Sequence, residues 1–182
     1  MYAFDIERPT TVAEAAGALG GEAQALSGGQ TLIPTLKARL ASPSKLVSLT
    51  GVAEMKGISS AGGVLTIGGA TTHATVAADA TYPALAALAG QIGDPAVRAR
   101  GTIGGSLANN DPSACYPAAA LASGAVIKTN AREIAADEYF QGMFATALEE
   151  GEIITEVRFP VPEAAHYEKF LQPASRFALV GV

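Results

Sequence analysis

The stretch Ala23-Gln-Ala-Leu-Ser-Gly-Gly-Gln-Thr-Leu32, followed by a second apolar run at Lys45-Leu-Val-Ser-Leu49, decides the fold of the first third of the chain. Ala23 to Leu26 reads as a short strand that runs into the glycine turn Ser27 to Thr31. Leu32 to Leu40 then reads as a helix, with Pro34 tolerated in its first turn because no intrahelical N–H is needed there. Lys45 to Leu49 is a second strand. Strand, glycine turn, helix, strand is a βαβ-type unit, since parallel strands need a crossover between them. Upstream, Thr11-Val-Ala-Glu14 has the S/T-x-x-E form of a capping box and opens an Ala-rich helix that Gly20-Gly21 stops.

From residue 55 onward the punctuation changes. Gly57 to Ala61 and Val64 to Ile67, separated by Gly62-Gly63, read as a hairpin. Helices are expected at Thr72 to Ala78 and Pro83 to Gln91. The polar, glycine-marked stretch Asp94 to Pro112 reads as a long binding loop, and an Ala-rich helix follows at Tyr116 to Ser123. Ala125 to Thr129, Arg132 to Ala135 and Ile153 to Phe159 complete a meander-like set of strands, with Phe140 on a helical turn between them. The sum is an α+β protein of two lobes meeting near residues 50 to 60.

Composition narrows the function. The 182 residues are 49% hydrophobic and 16% charged, with 20 glycines and no tryptophan, which excludes intrinsic disorder. Seventeen acidic against 12 basic residues give a net charge of −5, so a phosphate-backbone footprint for nucleic acid is not expected. One cysteine, Cys115, excludes an internal disulfide, a Cys-rich zinc site and an iron–sulfur cluster held by this chain alone. Any metal centre belongs to a partner. The acidic opening Met1 to Arg8 lacks the pattern of a signal peptide, and no apolar run reaches the roughly 18 residues needed to span a bilayer, so a cytoplasmic location is expected.

Three Gly-Gly motifs carry the chemistry: Ser27-Gly-Gly-Gln-Thr31, Ile67-Gly-Gly-Ala-Thr-Thr72 and Thr102-Ile-Gly-Gly-Ser106. Glycine lets the backbone approach a ligand and turn its amides outward, and flanking hydroxyls add donors, so each motif reads as an anion nest. The first also precedes a helix, where free amides favour phosphate. Neither G-x-G-x-x-G nor a P-loop occurs, which disfavours an ordinary dinucleotide fold. His73 and His166 sit in no catalytic or metal-ligating motif and read as solvated or cap-satisfied. Cys115 lacks a nucleophile elbow and reads as an ordinary thiol. Arg98 and Arg100 flank the third motif, as a solvated face or an anion or partner contact. No catalytic or metal-ligating residue is assigned.

Ser27-Gly-Gly-Gln-Thr-Leu32 and Thr102-Ile-Gly-Gly-Ser-Leu-Ala-Asn-Asn-Asp-Pro112, with Ile67 to Thr71 between them, resemble the FAD-binding medium subunit of the molybdenum hydroxylases, the family of aerobic carbon monoxide dehydrogenase and xanthine dehydrogenase. The opening Phe4 to Ala15 and Tyr82-Pro-Ala-Leu85 are also similar to that family. The resemblance implies the two-lobed FAD-binding domain of the vanillyl-alcohol oxidase and p-cresol methylhydroxylase type. A small N-terminal α/β lobe would occupy residues 1–54 and a larger α+β lobe residues 55–165. Residues 166–182 would begin a C-terminal domain, and the stop inside Phe177 to Val182 suggests that the rest of it is missing.

The resemblance further implies that Ser27, Gly28, Gly29, Gln30, Thr31 and Leu32 hold the FAD pyrophosphate by backbone amides. Thr102, Ile103, Gly104, Gly105 and Ser106 would hold it from the other lobe, with Phe177 near the isoalloxazine ring. Cys115, in Asp111-Pro-Ser-Ala-Cys115, stands where relatives commonly carry an aspartate on the flavin's ribityl or ribose end, and a thiol is a poorer acceptor. Asn109 stands where a histidine is frequent. The implied function is electron transfer, from a large molybdenum-cofactor subunit through a small [2Fe–2S] subunit to FAD here and on to an acceptor. A non-enzymatic scaffold or regulatory domain of the same fold that has lost FAD is the alternative.

Overall fold

The computed structural model describes residues 1–182. A three-stranded parallel sheet in the order β1-β3-β2 joins β1 (Asp5–Glu7), β2 (Ala23–Leu26) and β3 (Lys45–Ser48). Helices α1 (Val12–Ala18) and α2 (Leu32–Lys37) are the crossovers. α1 begins on the expected capping box, with Thr11 accepting from the Glu14 amide and the Glu14 carboxylate accepting in return. α2 is shorter than the apolar pattern suggested and stops at Lys37, where Arg39 takes a positive φ of 59°. β1 was not legible in the sequence, because it has only three residues and all of them are exposed.

The second sheet has five strands in the order β4-β5-β10-β6-β7, all pairs antiparallel. These are β4 (Ile58–Ala61), β5 (Val64–Gly68), β6 (Val126–Thr129), β7 (Glu133–Ala135) and β10 (Ile154–Pro160). The order corrects the meander reading: β10, the last of the five in sequence, sits at the centre. Its residues explain why, since Ile154, Val157 and Phe159 are buried while Glu156 and Arg158 pair with Lys128 and Glu133 on the other face.

The buried face of this sheet packs on α3 (His73–Ala77), α4 (Pro83–Gly90), α6 (Ile103–Asn109) and α7 (Tyr116–Ala122). Leu65, Ile67, Ile127, Val157 and Phe159 meet Leu85, Leu88, Ile103, Leu107 and Tyr116 in one apolar core, the dominant favourable contribution to stability. A smaller cluster, Ala15, Val47, Leu49, Val52, Met55, Ala70 and Ile153, ties the three-stranded sheet to the five-stranded one. The long binding loop expected at 94–112 is instead mostly helical, with α5 (Pro95–Arg98) capped by Asp94 and α6 capped by Thr102. Two side-chain caps overcame the glycine-rich composition.

The remaining elements are α8 (Ala136–Tyr139), a small hairpin of β8 (Phe140–Gly142) and β9 (Ala145–Thr146), and a hairpin of β11 (Lys169–Leu171) and β12 (Ala178–Gly181). The last hairpin exposes Phe170, Leu171, Phe177, Leu179 and Val180. No helix is long and apolar enough to cross a membrane.

Candidate functional site

A cleft of about 580 Å³ lies between the two sheets, within the range of small-molecule and cofactor sites. One wall is the turn Ser27 to Leu32 at the carboxyl end of β2, and the other is the start of α6. The structure brings the first and third motifs together on this cleft: Ser27 to Leu32, Thr102, Gly104, Gly105, Ser106 and Cys115 all line it. Ile103 does not, being fully buried in the core, because its side chain points from α6 onto the sheet. Asn109 and Phe177 also line the cleft.

The three Gly-Gly motifs turn out to differ in what their amides do. From Gly28 to Leu32, none of the five consecutive backbone N–H groups donates to any acceptor in the protein. Gly29 has φ +72°, the left-handed conformation that converges successive amides on one point. In the second motif, by contrast, the amides of Gly68, Gly69, Ala70 and Thr71 donate at 2.8–3.0 Å to the carbonyls of Gly57, Thr155, Met55 and Gly68. The third is similar: Ile103 N–H donates to Thr71 O, Gly104 N–H to Gly69 O, Gly105 N–H to Thr102 Oγ1 and Ser106 N–H to Thr102 O. Only the first motif is an open nest, which corrects the expectation of three.

The other glycines serve close backbone approach. A Cβ on Gly69 would fall 2.0 Å from Ile154 O, and one on Gly104 would fall 2.6 Å from Gly69 O. Gly28 also belongs here, since its Cβ would meet Arg100 O at 2.1 Å rather than the cleft. The two walls are thus pressed together at Gly28, and Ser27 Oγ lies 2.8 Å from Thr102 Oγ1 at the same junction.

Sequence reasoning missed several residues on this cleft, among them His73, Lys169 and Glu152. His73 is buried, not solvated or cap-satisfied, and burial together with the Arg98 cation pushes its pKa down to about 4, so it is neutral at pH 7. Lys169 lines the cleft with its ammonium donating to Gln91 O at 2.9 Å. Glu152 lines it too, but its carboxylate accepts from Arg132 and Thr129, and these hydrogen bonds hold it below the usual carboxylate range. No sequence signal marks Lys169 or Glu152. For His73 the only one was its place directly after the Thr71-Thr72 pair. His166 is exposed and pairs with Glu168.

This architecture, an open amide nest on a cleft between a small parallel sheet and a larger antiparallel one, is that of a cofactor-binding domain. The family model described as the FAD binding domain in molybdopterin dehydrogenase matches residues 2–162, and the chain belongs to that family, whose cofactor is FAD. Among its relatives, the carbon monoxide dehydrogenase medium chain of Afipia carboxidovorans is 39% identical over 189 residues, covering 96% of this chain and 66% of that one. The nicotine 6-hydroxylase medium subunit of Paenarthrobacter nicotinovorans is 32% identical, covering 88% of this chain and 60% of that one. In structure, quinoline 2-oxidoreductase from Pseudomonas putida 86 superposes with a TM-score of 0.94 at 33% identity, covering 99% of this chain and 67% of that one. Reconstituted carbon monoxide dehydrogenase from Oligotropha carboxidovorans superposes equally well, at 35% identity and 68% of its chain. The chain thus spans about two thirds of the length of the relatives it matches.

Proposed function

We propose that the chain is the FAD-binding electron-transfer subunit of a molybdenum hydroxylase, an oxidoreductase component. It would take electrons from the [2Fe–2S] clusters of a small subunit, which receives them from a large molybdenum-cofactor subunit, and deliver them to an external acceptor. The observation that carries this reading is the run of five uncommitted amides from Gly28 to Leu32 on the cleft. Amides converging in this way suit the two phosphates of a dinucleotide, because each adds a charge-assisted hydrogen bond without adding a competing cation.

In this reading Gly28 to Leu32 bind the pyrophosphate, and Ser106 adds a hydroxyl from the other wall. Thr102 and Ser27 act on each other and fix the spacing of the two walls. Cys115, 5% exposed on the cleft wall, would offer the flavin's hydroxyl-bearing linker only a weak acceptor. FAD, when bound, supplies the redox chemistry, and the protein supplies position and exclusion of water. A nucleophile or general base on this chain is not required.

The test is a titration of the apoprotein with FAD and with FMN, which lacks the pyrophosphate. FAD at least tenfold tighter is the expected result, and equal affinities would overturn the pyrophosphate assignment. Failure to bind either flavin would favour the scaffold reading. Anaerobic reduction of the bound flavin by the reconstituted large and small subunits with their substrate tests the electron-transfer step.

A further inference from the structure

Three polar side chains on the cleft are buried below a tenth of their surface, Thr102, His73 and Glu152, and the Glu152 carboxylate is committed to Arg132 and Thr129. The Thr102 hydroxyl is committed to Ser27 Oγ and to the Gly105 amide. His73 has no side-chain hydrogen bond at all, although its backbone N–H is fixed to Gly101 O at 2.9 Å. The ring is locked in place nonetheless. Its Nε2 and Cδ2 would stand 2.6 and 2.8 Å from a Cβ on residue 101, so only glycine lets the imidazole lie against the backbone just before Thr102. On its other flank, the Tyr116 ring is 5.4 Å away, tilted by 46°.

The two nitrogens are not equivalent. Nδ1 is sealed from solvent without a partner, whereas Nε2 is unpartnered but not sealed. A sealed N–H without an acceptor is the costlier arrangement, so the single proton of the neutral ring belongs on Nε2 and the bare lone pair on Nδ1. Arg98, the charge that acts on the ring, is held by the carbonyls of Ile92 and Gly93 at 3.0 and 3.1 Å and does not line the cleft. The result is a rigid, uncharged N–H donor on a wall that otherwise offers buried polar groups already in use.

We propose that His73 is a cofactor contact, its Nε2–H donating a hydrogen bond to an oxygen of FAD in this cleft. The contact rests on the FAD reading above. It adds to the amide nest a directional donor that fixes the cofactor's placement against the wall formed by α3 and Gly101.

The experiment labels histidine with 15N in the wild-type protein. The chain has two histidines, so exposed His166 serves as an internal control. Addition of FAD is expected to shift the His73 Nε2 resonance and leave His166 in place, and an unmoved Nε2 in flavin-saturated protein overturns the proposal. His73→Leu is expected to weaken FAD binding about tenfold and to shift the bound flavin's absorption bands, with the apoprotein as stable as wild type or more so. His73→Gln, which restores a side-chain N–H, is expected to recover most of the affinity. A folded leucine variant with wild-type affinity and spectrum also overturns the contact. Wild-type protein that binds no FAD instead overturns the functional reading itself.

Discussion

Ser27 Oγ and Thr102 Oγ1 lie 2.8 Å apart although 75 residues separate them in the chain. Thr102 accepts from the Gly105 amide at 3.1 Å with the same oxygen, so one hydroxyl both caps α6 and latches the two walls of the cleft. The first and third motifs therefore cooperate, the first by offering free amides and the third by holding the turn that offers them.

Replacing Thr102 by Val removes the cap and the latch while keeping the shape. The loss is expected to be about 2 kcal/mol of unfolding free energy, read from the urea midpoint, because a cap and a buried hydrogen bond go together. Thr102→Ser keeps both and is expected to lose only about 1 kcal/mol, for the one buried methyl it removes.

Gly28 and Gly29 are adjacent but answer to different constraints. Gly28→Ala drives a Cβ to 2.1 Å from Arg100 O and is expected to cost about 3 kcal/mol or more of stability, since backbone must move. Gly29→Val sets a branched residue at φ +72° and 3.0 Å from Ile33 Cγ1, costing roughly 1 to 3 kcal/mol in strain. Its larger effect is expected on FAD affinity, because relief of that strain swings the amides of 28–32 out of register. Denaturation and flavin titration of both variants separate the two roles.

The sequence carried much of this. The capping box at Thr11, the β2-α2-β3 crossover, the Gly62-Gly63 hairpin and the motifs at 27 and 102 were legible because each is a local rule with a local cause. What escaped was set by tertiary contact. The central place of β10 depends on pairing across sequence separations that no local pattern encodes. The second and third Gly-Gly motifs look like nests until their amides are traced to partners on β10, on the 53–57 segment and on each other. His73 reads as a surface residue until Tyr116 and Gly101 close over it.

Cys115 is 5% exposed and belongs to the core. Cys115→Asp, which restores the carboxylate implied by the family resemblance, therefore places a charge in a partly apolar wall and is expected to cost the apoprotein about 2 kcal/mol. The same carboxylate is expected to gain on the order of 1 kcal/mol in FAD binding through a hydrogen bond to a flavin hydroxyl. Thermal unfolding with and without FAD checks this, with the variant's flavin-induced stabilisation exceeding that of wild type.

The β11–β12 hairpin exposes Phe170, Phe177, Leu179 and Val180 at 52–71% of their surface. An isolated two-stranded hairpin with apolar faces and open edges favours association. Light scattering is expected to show concentration-dependent self-association of the 182-residue chain, and Leu179→Lys combined with Phe177→Ser is expected to reduce it. A clean monomer of high solubility would count against this reading.

The buried imidazole of His73 sets a pH dependence whose sign follows from proton linkage. Its pKa is about 4 in the folded protein against 6.5 for the unperturbed side chain, first because burial disfavours the cation and then because Arg98 repels it. Between those values the unfolded chain binds a proton that the folded chain refuses, so stability falls as pH falls from about 6.5 and levels off below about 4. Above pH 6.5 the ring is neutral in both states and contributes no slope. From pH 7 to pH 5 the loss is expected to be on the order of 2 kcal/mol. The lowered carboxylates Glu14, Glu133 and Glu152 titrate beneath that window, below the ordinary 4.5, and do not obscure it. Urea midpoints measured at pH 7, 6 and 5 are expected to decline in the wild type and to stay nearly flat in His73→Leu. A wild-type protein equally stable across that range would place His73 in solvent and remove the basis for its locked, neutral ring.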